Sequence, residues 1–139
     1  MVIYVHNGIT VPMQMVILTL IPIQYMYLLN MILTNLILGV VFGIAVQVDL
    51  EVGFQLIISS IPHSVFEIFA YCILATVLFE MNQAIRVNII NIFKKDKAKV
   101  SLVKSFLKTM KAYIVFVMPL IIVAAFLETY LADTLLYLL

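Results

Sequence analysis

The chain has 139 residues, 65% of them hydrophobic and 11% charged, with a net charge of +1 and a mean hydropathy of +1.22. Soluble domains run at about half apolar and a quarter charged, so this chain has too little polar surface to coat a water-soluble globule. Its single cysteine, Cys72, excludes an intrachain disulfide and a cysteine-based metal cluster.

No charged side chain occurs in the first 48 residues, and all eight bases fall between Arg86 and Lys111, with one acid, Asp96, among them. Such a partition separates lipid-facing spans from one water-facing segment. It predicts an all-α transmembrane helix bundle of about four spans, a single integral membrane domain over 1–139, with the basic segment as a cytoplasmic loop. The lysines adjoin apolar spans and lack an Arg-rich, base-stacking pattern, so no nucleic-acid partner is expected. Met1 to Thr10 lacks a positive leader and the apolar run after it is too long for a signal sequence, so the early spans are expected to persist.

The uncharged stretch from Ile9 to Val48 is about twice what one helix needs to cross a hydrocarbon core of roughly 30 Å. Two spans are predicted, about 11–29 and 31–48, with a hairpin near Tyr27 to Asn30; Pro12 and Pro22 would kink the first span or make it re-entrant. In the second span Gly39 and Gly43, four residues apart, suit close helix packing. Asp49 and Glu51 mark an exit into water, with a short loop to Ser60, and Pro62 suits the first turn of a third span over about 62–83.

The basic loop, 86–111, contains an amphipathic helical pattern. Val100, Val103, Leu107 and Met110 fall on one side, and Lys97, Ser101, Lys104, Lys108 and Lys111 on another. That helix is expected to lie along the membrane surface on anionic lipid or to dock on a protein partner. A fourth span, about 112–132, is bracketed by Tyr113 and Tyr130 and contains Pro119 and Glu128.

Ionisable groups at membrane depth cost about 2.5–3.5 kcal/mol each on insertion scales, so they need partners or a wet cavity. His63 is one helical turn from Glu67, and the predicted topology puts Glu128 at similar depth on the adjacent helix. These three residues form a predicted polar cluster near the outer leaflet, read either as a hydrogen-bonded knot that fixes packing or as a site for a partner segment or transported group. One histidine with two carboxylates and no HExxH pattern makes a poor metal set, so no metal and no cofactor are expected. No nucleophile with a base and an orienting group can be assembled either, which predicts a protein without enzymatic activity. A second polar group, Asn35, Glu80, Asn82 and Arg86, is expected near the cytoplasmic boundary in a packing role.

Pro62-His63-Ser64-Val65-Phe66-Glu67 resembles the Pro-His-Gly-Val-Phe-Glu signature of the stage II sporulation protein M family of multi-pass membrane proteins. Ala124-Ala125-Phe126-Leu127-Glu128 is similar to that family's closing Ala-Ala-Phe-Ile-Glu stretch, and Asn35 with Gly39 to its second span. The resemblance covers about residues 30–132; Ser64 stands where the family has Gly, and the chain is shorter than most members. It implies that His63, Glu67 and Glu128 are the family's characteristic polar positions, in a bacterial cytoplasmic membrane protein. The namesake anchors a complex of cell-wall-degrading enzymes, and other relatives sit beside ABC-type ATPases, including in systems for circular bacteriocins. Two functions follow as expectations: a non-catalytic scaffold of a membrane complex, with an envelope enzyme as partner, or the membrane subunit of an exporter with a separate ATPase. The small size of the chain makes an exporter, and by extension the complex, a homo-oligomer.

Overall fold

A single-residue break at Asp49 sets the shape of this molecule. The computed structural model describes residues 6–94 and 100–138. Five α-helices follow one another: α1 (Val11–Thr19), α2 (Leu28–Val48), α3 (Leu50–Lys94), α4 (Leu102–Ala112) and α5 (Met118–Leu138), with π-helical turns at His6–Thr10 and Tyr113–Val117. No strand occurs among the described residues, so the all-α bundle predicted from the charge distribution is what forms. Three stretches are long and apolar enough to cross a bilayer, Leu28–Val48, Leu50–Ile92 and Leu102–Tyr130, and Gly8–Thr19 is a shorter apolar helix.

Asp49 has extended backbone, and its N–H donates to Ala45 O, closing α2. Its carboxylate Oδ1 then accepts from the N–H groups of Glu51 (3.0 Å) and Val52 (3.2 Å), capping α3. Backbone groups at membrane depth need internal partners, which favours so short an interruption. The loop expected from Asp49 to Ser60 is therefore helix, and Pro62, expected at a helix start, lies inside α3. Gly53 permits the tight return, because a Cβ there would fall 2.5 Å from Val46 Cα. Gly39 and Gly43, expected as packing positions, meet nothing within the chain. The half-buried side of α2 is marked instead by Phe42, Ala45 and Val46.

With 45 residues, α3 is about 67 Å long. From Glu51 to Glu80 it covers about 43 Å, the thickness of a bilayer with its headgroup layers, roughly 40–45 Å. A span bounded by these two acids would leave the last turns of α3 beyond the bilayer.

The first apolar stretch, expected as a span over 11–29, is helix only to Thr19. Pro22 supplies no N–H and disfavours helical backbone at Ile21, and Tyr25 adopts φ 67°. Asn82 Nδ2 donates to the freed carbonyls of Thr19 and Ile21, each at 2.9 Å, and Arg86 Nη1 donates to Gln24 Oε1 at 3.1 Å. The short α1 seats Val11 and Met15 against Leu74, Leu78, Val117 and Ile121, which form the core. Tyr113 Oη donates to Gly8 O at 2.5 Å and ties down the π-helical turn that leads into α1.

In the second π-helical turn the N–H of Met118 reaches back to Tyr113 O. That wider turn immediately precedes Pro119, which has no N–H to give to a regular helix. α4 consequently runs straight into α5 and stands antiparallel to the end of α3. Lys108 Nζ donates to Glu80 Oε2 at 2.5 Å, Thr109 is buried against Met81, and Asn88 Nδ2 donates to Val100 O at 2.9 Å. Because α4 meets α3 through its Ser105 and Thr109 side, Val103 and Leu107 stay 69% and 60% exposed. Lys97, counted with this helix in the sequence, lies outside the described residues.

Candidate functional site

The Asp49 break also fixes register. Residues equidistant from it face each other across the α2–α3 hairpin, so Asn35 stands level with His63, each fourteen positions away. His63 and Glu67 lie about 18 and 24 Å beyond Glu51 along a helix that needs about 43 Å to cross. Measured between Glu51 and Glu80 they lie about midway along α3, because Asp49 to Ser60 is not the loop expected from the sequence.

At this level α2 and α5 flank one face of α3 and leave a cleft of about 370 Å³ between them. Its floor is a stripe on α3 at helical spacing: Ser60, His63, Ser64, Glu67 and Tyr71. Thr34, Asn35, Ile37, Leu38 and Val41 of α2 form one wall, and Glu128 of α5 stands on the other. The three polar positions singled out in the sequence therefore line one cavity, joined by Asn35. The same α3 stripe continues as Leu74 and Leu78, where α1 covers it; the polar half has no such cover from α1.

The hydroxyl and amide donors on the walls are turned back on their own helices. Thr34 Oγ1 donates to Asn30 O (2.9 Å), Asn35 Nδ2 to Met31 O (2.8 Å) and Ser60 Oγ to Leu56 O (2.7 Å). Thr34 and Ser60 thereby keep only acceptor lone pairs for the cleft, while Asn35 keeps its Oδ1 and one N–H, and the hydroxyls of Ser64 and Tyr71 also line it. His63 Nδ1 is buried without a partner.

The inner group of Asn35, Glu80, Asn82 and Arg86 is not one cluster. Asn35 belongs to the cleft, Glu80 pairs with Lys108 on α4, and Asn82 and Arg86 clamp the segment between α1 and α2. Asn35 goes elsewhere because one residue, not a dozen, separates α2 from α3. Ser60, Thr34 and Tyr71 are cleft residues that the sequence reading missed. The signal for two of them was present, since Ser60, Ser64, Glu67 and Tyr71 follow one another at intervals of three and four.

No curated protein and no solved structure matches the chain. The model of the family described as stage II sporulation protein M matches residues 1–133, a range that contains all three long apolar helices and the whole cleft. With nearly its full length matched, the chain belongs to the stage II sporulation protein M family.

Proposed function

We propose that this membrane protein is a non-catalytic assembly subunit of a bacterial membrane complex, and that a partner's transmembrane helix lies against the polar face of α3. The observation that carries this reading is the cleft itself: His63, Glu67, Asn35 and Glu128 border one opening among long apolar helices. Lipid tails offer those groups no hydrogen bonds, so a protein segment with polar side chains is the favoured cover. Three long helices give one copy no room to enclose a pore, but ample surface to assemble against, since no residue of α2 is fully buried within the chain. The lysine-rich end would face the cytoplasm of a bacterial cell by the positive-inside rule. A photo-crosslinking residue placed at Leu38, on the cleft wall, should trap a membrane partner in cells, whereas the same residue at Leu33 should not. Equal trapping at both positions would refute a docking role for the cleft.

The exposed apolar strip on α4 favours a second reading, the membrane subunit of an ABC-type exporter. Val103 and Leu107 are exposed on a helix that also carries Lys104, Lys108 and Lys111, a surface suited to a cytoplasmic ATPase. Val103→Asp with Leu107→Asp should then abolish co-purification of an ATPase while the protein still inserts. Undiminished capture by the double variant removes this reading and leaves anionic lipid as the partner of the lysines.

A further inference from the structure

The chemistry of the cleft walls specifies more than the presence of a cover. Of the donors lining the cleft, the hydroxyls of Thr34 and Ser60 and one N–H of Asn35 are committed to backbone carbonyls of their own helices, at 2.7–2.9 Å. The two glutamates add carboxyl oxygens from opposite sides, Glu67 from α3 and Glu128 from α5. Against these acceptors the cleft sets one basic side chain, His63, whose buried Nδ1 has no partner. A neutral imidazole offers one nitrogen as donor and one as acceptor. A carboxylate-bearing occupant would meet two glutamate carboxyls of like charge. An ammonium brings three donors and a guanidinium five, with a positive charge toward Glu67 and Glu128.

We infer that the cleft receives a cationic, donor-rich group, a lysine or arginine side chain carried at the middle of a partner's transmembrane helix. This rests on the proposed docking of a helix in the cleft and adds the identity of the residue that anchors it. Such a residue is costly in lipid on its own, by about 2.5–3.5 kcal/mol on insertion scales, so a helix bearing it gains most from a site with opposed carboxylates. The cleft would then select among membrane helices by the presence of a single buried base. A homodimer formed cleft to cleft is disfavoured by the same chemistry, because two acceptor-lined faces would oppose each other.

The test uses the full chain in phosphatidylcholine vesicles, with a photo-crosslinking amino acid in place of Leu38. Two synthetic Leu/Ala helices of about 20 residues are supplied, identical except for Lys or Met at the centre. The lysine helix should be trapped about tenfold more efficiently, the upper end of what interhelical hydrogen bonding delivers in bilayers. That preference should vanish in the Glu67→Gln/Glu128→Gln double variant while trapping of the methionine helix persists, which shows the variant is folded. Equal trapping of both helices by the unmodified protein overturns the inference and leaves helix docking intact. A parallel arm offers a diazirine-bearing alkylammonium against the matching alcohol and maps labelled peptides by mass spectrometry. Labelling around Glu67 and Glu128 by the amine alone, with neither helix trapped, supports the cation and refutes the docked helix. No trapping together with no amine preference refutes both.

Discussion

Asn82 and Glu80 are two positions apart on α3 and do unequal work. Asn82 is 1% exposed, and its amide satisfies two carbonyls that Pro22 and the end of α1 leave without helical partners. Replacing it with Ala strands buried acceptors, a loss of about 1–3 kcal/mol. The Glu80–Lys108 pair, by contrast, is half exposed on both sides, and pairs of that kind contribute about 0–1 kcal/mol. Thermal unfolding in detergent should thus place Asn82→Ala far below the parent and Glu80→Ala close to it. If the two variants melt together, the turn between α1 and α2 is not held by Asn82.

At the scale of elements, the long apolar stretches were legible because lipid permits few sequences, and an unbroken apolar run is the plainest of them. The joints between them were not. Asp49 carries a charge that reads as an exit into water, and its role as a combined stop and cap shows only once Gly53 is found against Val46. Pro62 reads as a helix start but sits within α3, so His63 and Glu67 lie more than three turns into their helix rather than near its beginning. The amphipathic pattern of α4 was visible as a pattern, yet its packed side is Ser105 and Thr109, which helix periodicity alone does not single out. The glycines make the same point quantitatively. Gly53→Ala forces a methyl group into Val46 backbone and should destabilise the hairpin by about 1–3 kcal/mol. Gly39→Ala and Gly43→Ala enter open space, so the isolated protein should gain up to about 1 kcal/mol each from helix propensity. Chemical unfolding of the three variants in one detergent distinguishes them, and a loss at Gly39 or Gly43 would mean that α2 packs on a second copy.

For the whole molecule, the cleft and the core are two halves of one design. A single stripe along α3 is apolar where α1 covers it, at Leu74 and Leu78, and polar where α1 does not reach, at Ser60, His63, Ser64 and Glu67. Grouping His63, Glu67 and Glu128 was possible from spacing and the family signature, because all three lie on helices long enough for their depth to be counted. Adding Asn35 required the hairpin register. Under the proposed docking, an ionisable group in the open cleft is a stability cost to the protein without its partner, and that cost has a measurable sign. Glu128→Gln keeps the size and hydrogen-bonding capacity of the side chain while removing the ionisable group. In a subunit without its partner this change should raise the thermal midpoint or leave it unchanged, since an ionisable group at membrane depth costs about 2.5–3.5 kcal/mol and the amide avoids the charged state. In cells the same substitution should lower recovery of the assembled complex, because the carboxylate is what the partner is proposed to engage. A Glu128→Gln protein that is markedly less stable on its own would instead make Glu128 part of the internal packing of α3 and α5, and the cleft a knot rather than a docking site.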